Sequence, residues 1–277
     1  MPELPEVELI SRSLDTLVNG RTISTAELHR ARLAPDITAD GFAAALHNAK
    51  INFVHRRGKH ILFDLGNEKT LIVHLRMSGR FSLLAANRED PKFTHAVFYF
   101  EDETRLVFDD QRHFGLMKIV STPELQEAKE LKKLAPEPFS EEFSPEYLRD
   151  TLKTSKRSLK EFLLDQTKVC GLGNIYAAEA MFAAGVHPET SAYKVSAKKV
   201  PLLYDSIRAV LNIAISHAGD LAVDPENLEG GYFSVGDETV WYVYDRENEP
   251  CRNCETPIVR LKQGGRSTYY CRKCQRK

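Results

Sequence analysis

The chain lacks an excess of charge of either sign, lacks long apolar runs and, through most of its length, lacks cysteine. Across 277 residues, 38 bases face 39 acids, a formal net charge of −1. Taken alone, that argues against a protein that coats nucleic acid through bulk electrostatics. No uninterrupted apolar run nears the roughly 20 residues that span a bilayer, so no membrane helix is expected. Two glutamates, Glu3 and Glu6, fall within the first six residues, which is not the composition of a signal or transit peptide. There is no internal repeat and no low-complexity segment. Four of the five cysteines fall at or after residue 251, so the body has no disulfide scaffold. With 42% hydrophobic residues it can bury sizeable cores without one. The length is comfortable for two domains.

The near-zero net charge hides a strong polarity. Residues 219–249 hold nine acids against Arg246 alone, a net −8. Residues 251–277 hold eight bases against Glu255 alone, a net +7. Such an abrupt reversal suggests a basic binding end on an otherwise neutral body.

That basic end also holds most of the cysteine, as Cys251-x2-Cys254-x16-Cys271-x2-Cys274. Each CxxC bends the chain so that two thiolates meet one face of an ion, and two such knuckles complete a tetrahedron. Gly264-Gly265 supplies a turn between Ile258-Val259 and Thr268-Tyr269-Tyr270, which have strand character. The pattern predicts a β-hairpin zinc ribbon with one structural Zn2+ and no open position for catalysis. Two disulfides are the alternative, but nothing marks the chain as secreted. Arg266, just after the turn, can present a guanidinium to phosphate. Cys170 reads as a buried core thiol.

Before the ribbon, Leu4, Val7, Ile10, Leu14 and Leu17 recur at helical spacing over 4–18. Short β-rich runs follow at 61–65, 70–75, 96–101, 104–109 and 116–120, suggesting a sandwich or barrel. Residues 124–134 look helical, and Ala135-Pro136-Glu137-Pro138 then breaks the chain. Helices are predicted over 145–153, 158–165, 174–184 and 197–217. The expected domains are 1–134, a linker 135–143, a helical domain 144–240 with a loop near its end, and a ribbon 241–277.

The N-terminus is itself a chemical group. A small second residue, Pro2, permits removal of Met1 and leaves a secondary amine. An α-amino group titrates at roughly 7.7–8.0, so much of it is a neutral nucleophile at physiological pH. Its attack on a sugar carbon would give an iminium, an electron sink. Glu3 and Glu6 lie one helical turn apart, close enough to serve such an amine as acid, base or orienting group. Read alone, however, the pattern favours a capped helix start, with proline in the first turn and acids at the positive dipole end.

Seven blocks and the cysteine spacing, in order, decide between these readings. They run from Pro2-Glu3-Leu4-Pro5-Glu6-Val7-Glu8, through Arg56-Arg57-Gly58-Lys59, His74-Leu75-Arg76-Met77-Ser78-Gly79 and Gln111-Arg112-His113-Phe114-Gly115. They continue with Leu134-Ala135-Pro136-Glu137-Pro138, Gly171-Leu172-Gly173-Asn174-Ile175-Tyr176-Ala177, Gly185-Val186-His187-Pro188, and end in the cysteine ribbon. Together they resemble the formamidopyrimidine-DNA glycosylase family of base-excision repair over nearly the whole chain. The resemblance implies an α+β fold: an N-terminal helix with a two-layer β-sandwich, then an all-α helix–two-turn–helix domain closed by the zinc ribbon. It also implies double-stranded DNA with oxidised bases or abasic sites as partner, a monomer, and a cytoplasmic, nucleoid-associated place in a bacterial cell.

The resemblance assigns roles residue by residue. Pro2 becomes the nucleophile that attacks C1′ and expels the base, with β- and δ-elimination following. Glu3 is the acid/base and Glu6 orients the site. Lys59, in the cluster with Arg56 and Arg57, reaches the lesion-side phosphate or the base. Met77 and Phe114 fill the gap left by an extracted base, as apolar wedges do, and Arg112 bonds the widowed partner base. Lys160, Asn174 and Arg266 form a phosphate clamp at a Gly-rich helix start, where N–H groups and the dipole favour anions, with Arg266 counted among the catalytic residues. His74 adds a phosphate or sugar contact.

The resemblance thins at residues 218–240, the family's base-capping loop. Members specific for 8-oxoguanine are expected to carry a Ser/Thr-rich stretch there. This chain reads Asp224-Pro225-Glu226-Asn227-Leu228-Glu229-Gly230-Gly231, so formamidopyrimidines are the expected substrates and 8-oxoguanine is left open. The alternatives are an endonuclease VIII-like glycosylase for oxidised pyrimidines, or a non-catalytic binder of damaged DNA.

Overall fold

The computed structural model describes residues 1–219, 224–226, 228 and 241–277. They form two compact units, Met1–Lys132 with His217–Val235, and Lys133–Ser216 with Gly236–Lys277.

In the first unit α1 (Leu4–Val18) buries Leu4, Val7, Ile10 and Leu14, the stripe that its spacing predicts. Eight strands follow: β1 (Thr22–Leu28), β2 (Ala49–Arg57), β3 (His60–Leu65), β4 (Lys69–His74), β5 (Gly79–Leu84), β6 (Thr94–Phe100), β7 (Arg105–Asp110) and β8 (Leu116–Ser121). They pair antiparallel in the order β5-β7-β6-β1-β2-β3-β4-β8. β1 and β2 share only the pairs Thr22↔Lys50 and Ile23↔Ala49, and the sheet folds over at this narrow join. Phe63 of β3 meets Phe81 of β5 at 5.7 Å between ring centroids, although four strands lie between them in the sheet order. The two layers of the expected sandwich therefore close on one core. A short helix, α2 (Ala39–Leu46), covers β1 and stacks Phe42 against Phe98 at 5.9 Å.

The second unit holds α3 (Pro145–Lys153), α4 (Leu159–Leu164), α5 (Asn174–Ala183) and α6 (Lys199–Gly219), then a hairpin of β9 (Ile258–Gln263) and β10 (Arg266–Cys271). Ser144 caps α3, and Ser158 with Glu161 forms a capping box on α4. Val200, Leu203, Ile207, Leu211 and Ala214 form the buried face of α6.

Three expectations need correction. Residues 124–134 are not an α-helix; a 3-10 run spans Thr122–Glu127 and turns follow. None of its residues is buried, so no apolar face holds a longer helix in place. Residues 135–143 are packed rather than free. The Ala135 N–H donates to Gln166 O at 2.9 Å, Arg208 Nη1 donates to Pro138 O at 2.6 Å, and Phe143 is fully buried. Finally, the ribbon is built into the helical unit, because Ala178 and Phe182 of α5 share a core with Val243, Ile258 and Tyr269. The described part of 217–235 belongs instead to the first unit: Leu228 is buried in the sandwich core and exchanges backbone bonds with Phe81 of β5. No helix among the described residues is long and apolar enough to cross a membrane.

Candidate nucleic-acid interface and zinc centre

The N-terminus of α1 is built from the residues that the sequence marks as catalytic. Glu3 is the N-cap, and its side chain accepts from the N–H of Glu6 while its own N–H donates to Glu6 Oε2 at 2.6 Å. Both carboxylates are buried, at 3% and 4% exposure. This reciprocal capping box fixes the backbone immediately after Pro2. The helix-start reading is thus met, and the cap immobilises the segment that follows Pro2.

α1 packs on β2. At the far end of β2, Gly58 and Lys59 make a two-residue turn into β3, closed by the pair Arg57↔His60. Gly58 sits at φ 59°, the left-handed geometry that such a hairpin turn requires at its first position. Lys59 at the tip is buried, at 6% exposure. Of its expected cationic cluster, Arg56 is engaged elsewhere: its Nε donates to Glu8 Oε2 at 2.6 Å with only a tenth of the side chain exposed. Beside the tip, His60 and His74 pack edge to face at 4.7 Å. Burial lowers His60 to about 4 and His74 to about 2, with neighbouring positive groups including Arg76 adding to the effect on both. His74 Nδ1 accepts the Arg76 N–H at 3.0 Å. His74 is therefore held as a neutral imidazole whose Nδ1 anchors the loop that follows.

That loop presents Met77, which is 44% exposed. A second loop, after β7, presents Phe114 at 47% exposure, with the Arg112 guanidinium over its ring at 5.4 Å. Each apolar tip follows a left-handed residue, Arg76 at φ 57° and His113 at φ 61°. Large apolar side chains held out in solvent on strained loops are unusual for core residues.

The second unit contains the other predicted cluster. Gly171, at φ 84°, turns the chain before α5, and its N–H donates to Gln166 Oε1 at 2.9 Å. Gly173 is the N-cap of α5, and with no side chain it makes no cap bond of its own. Asn174 Nδ2 donates to Ser267 O at 3.0 Å, joining the helix start to the ribbon strand that Arg266 begins. Lys160 Nζ donates to Asn174 O at 2.8 Å. Lys160 is fully buried, so its charge lies beneath the helix start rather than projecting from it. Arg266 is exposed, directly after the turn of Gly264 (φ 54°) and Gly265 (φ 78°). Lys160 and Asn174 are thus bonded to each other, and Asn174 to Ser267, the residue after Arg266.

The four cysteines converge, with their sulfurs all within 4.8 Å of one another. The resolved separations are 3.5 Å for Cys254–Cys271 and Cys254–Cys274, and 3.9 Å for Cys251–Cys274. Tetrahedral thiolates at 2.3 Å from zinc would be about 3.8 Å apart, and a disulfide needs about 2.05 Å. The set fits zinc and excludes the two-disulfide alternative. Hydrogen bonds from Thr256 lower the Cys254 thiol to about 6, favouring the thiolate that a metal requires. Burial raises Cys271 and Cys274, a cost that a divalent cation offsets. Cys251, Cys254, Cys271 and Cys274 are the ligands of one structural Zn2+.

The same arrangement recurs across known proteins. Family models match in sequence order: the formamidopyrimidine-DNA glycosylase N-terminal domain over residues 1–117, its H2TH domain over 134–224, and the zinc finger found in FPG and IleRS over 248–276. The chain belongs to the formamidopyrimidine-DNA glycosylase family. The formamidopyrimidine-DNA glycosylase of Bacillus subtilis is 40% identical over 280 residues, covering all of both chains. Two solved structures of the Lactococcus lactis enzyme, each 33% identical, superpose closely. One holds DNA containing N7-benzyl-Fapy-dG (TM-score 0.90, all of both chains), and the other holds DNA containing an abasic site (TM-score 0.89, 99% of this chain and all of that one). Membership makes the protein a DNA repair glycosylase with a zinc finger.

Several residues that shape these formamidopyrimidine-DNA glycosylase elements are not evident from sequence patterns. Glu179 is one, a buried carboxylate on α5 that accepts the N–H groups of Tyr242, Val243 and Tyr244 at 2.8–2.9 Å. It seats the start of the ribbon on the helix. Asp110 is another, described below. Its only sequence signal is its place immediately before the Gln111–Gly115 block. The base-capping loop lies mostly outside the described residues; of the quoted stretch, Asp224, Pro225, Glu226 and Leu228 are described.

Proposed function

We propose that the protein is a bifunctional DNA glycosylase and abasic-site lyase that removes oxidised purines, formamidopyrimidines first among them. Once Met1 is removed, the Pro2 nitrogen attacks C1′ of the damaged nucleotide. The glycosidic bond breaks and the base departs with its electron pair, taking a proton. The amine's proton is lost, the C1′–O4′ bond opens with Glu3 passing a proton to O4′, and the resulting iminium acidifies the neighbouring C–H, so loss of that proton expels the 3′ phosphate and a second elimination expels the 5′ phosphate. Glu3 serves as the acid and base beside the amine, Glu6 holds it in place, and Lys59 meets the lesion-side phosphate or the base. Met77, Arg112 and Phe114 occupy the gap left in the duplex. Lys160, Asn174 and Arg266 organise a phosphate site, and the enzyme acts as a monomer.

The observation that carries this reading is the buried Glu3–Glu6 capping box directly behind Pro2. A helix start in ordinary surroundings leaves such acids in water, where they meet the dipole at no desolvation cost. Burying two carboxylates there fits a site that handles protons.

A cleavage panel tests it, with duplexes carrying a formamidopyrimidine, 8-oxoguanine, thymine glycol or an abasic site. The reading expects cleavage at the formamidopyrimidine and abasic duplexes and less at thymine glycol. Preferential cleavage of thymine glycol would support the oxidised-pyrimidine alternative. Cleavage of none would leave a binder without chemistry.

A further inference from the structure

The two loops that carry Met77 and Phe114 share one mount on β7. Asp110, the last residue of β7, is completely buried. Its Oδ1 accepts the Ser78 hydroxyl at 2.5 Å and the Arg112 N–H at 3.2 Å. Its Oδ2 accepts the Gly115 N–H at 2.7 Å. The Arg112 N–H also reaches the Ser78 hydroxyl at 3.0 Å, which ties the loops to each other. One carboxylate therefore bonds the residue after Met77 and residues on both sides of Phe114.

Phe108, two residues earlier on β7, completes the mount. A Cβ on Gly79 would meet Phe108 Cζ at 2.8 Å and Leu75 O at 2.5 Å. A Cβ on Gly115 would meet the same Phe108 ring at 2.8 and 2.9 Å. Both glycines thus let their loops close on one buried ring. The loops cannot shift independently without breaking bonds to Asp110 or leaving a void against Phe108.

We propose that Asp110 is a positioning residue that holds Met77, Arg112 and Phe114 as a single wedge, so that they enter the duplex together. The proposal rests on the reading that these three side chains fill the space of an extracted base. Burial opposes charge on Asp110, but donors from Ser78, Gly115, Arg112 and Phe114 outweigh it and hold the carboxyl below its ordinary range. Asp110 acts only as an acceptor, from Ser78, Arg112 and Gly115. An amide of the same shape must turn an N–H toward one of the donors.

The test uses the full-length, Met1-processed protein and a duplex containing a tetrahydrofuran abasic analogue, with 2-aminopurine next to the site reporting unstacking. Phe114→Ala is the reference variant. Asp110→Asn is expected to reduce the fluorescence change by at least half and to raise KM for abasic duplex by roughly tenfold. On a duplex with a natural abasic site, the amount of borohydride-trapped complex at saturating DNA should stay at the wild-type level. Ser78→Ala removes one donor and should give an intermediate effect, which keeps the proposal testable if Asp110→Asn does not fold. Wild-type fluorescence and KM in both Asp110→Asn and Ser78→Ala, with the signal lost in Phe114→Ala, would overturn the mount while sparing the wedge. An unchanged signal in Phe114→Ala would overturn the wedge and the mount with it.

Discussion

The N–H of Glu3 donates to the Glu6 carboxylate at 2.6 Å inside the protein, one residue from Pro2, the proposed nucleophile. A helix cap worth about 1 kcal/mol in ordinary settings here also fixes the direction of the chain at Pro2. Glu6→Ala should therefore lower the rate of Schiff-base formation on an abasic duplex more than it lowers thermal stability. Single-turnover trapping beside a thermal melt checks this; a stability loss with an unchanged trapping rate would reduce Glu6 to a cap.

The His60–His74 pair predicts a pH dependence of stability. Each imidazole is neutral when folded because burial lowers its pKa, to about 4 for His60 and about 2 for His74. A base with a depressed folded pKa contributes its full stability above the unfolded value near 6.5 and loses it as pH falls through that value toward the folded one. The loss by pH 4 is on the order of 3 kcal/mol from His60 alone. Melting temperature measured from pH 7.5 to pH 4 should fall, and His60→Leu should flatten the curve. Parallel curves for both proteins would show that another group controls the transition.

How much of this was legible in the sequence depends on the range over which each signal acts. The cysteine ribbon and the helix stripe of Leu4, Val7, Ile10 and Leu14 are local patterns and appear where expected. β1, β2, β5 and α2 escaped notice. β1 is rich in Ser and Thr with weak apolar alternation, and α2 spans only two turns behind its Thr38 cap. Site residues that belong to a quoted block were legible as candidates, but their burial was not. Lys160 reads like a surface cation and lies fully buried against Asn174 O. His74 reads like a phosphate or sugar contact and lies buried against His60. Asp110 and Glu179 were missed because their partners, Ser78 and residues 242–244, are distant in sequence, and a lone acid carries no spacing signal.

Zinc removal should unfold the ribbon, because the four cysteines sit in the small core that Val243, Ile258 and Tyr269 share with Ala178 and Phe182 of α5. Since Asn174 and the strand beginning at Arg266 are joined through Ser267, DNA binding should be lost along with it. Chelation followed by circular dichroism and a DNA-binding titration checks both. Full binding by metal-free protein would separate the ribbon from the phosphate site.

Arg266 at the hairpin tip should contribute one phosphate contact. Arg266→Ala is expected to weaken binding of abasic duplex and to reduce the slope of log K against log salt by about one. An unchanged slope, measured between low and physiological salt, would mean that Arg266 does not neutralise a phosphate.

Covalent catalysis by the terminal amine of Pro2 is the centre of the account, and one measurement bears on it directly. Met1-processed protein is incubated with abasic duplex and borohydride, and the attachment site is mapped by mass spectrometry. The account predicts a one-to-one adduct on the Pro2 nitrogen, reduced at least about tenfold by Pro2→Gly or by a retained N-terminal extension. No adduct from the processed wild-type protein, or an adduct on a lysine such as Lys59, would contradict it.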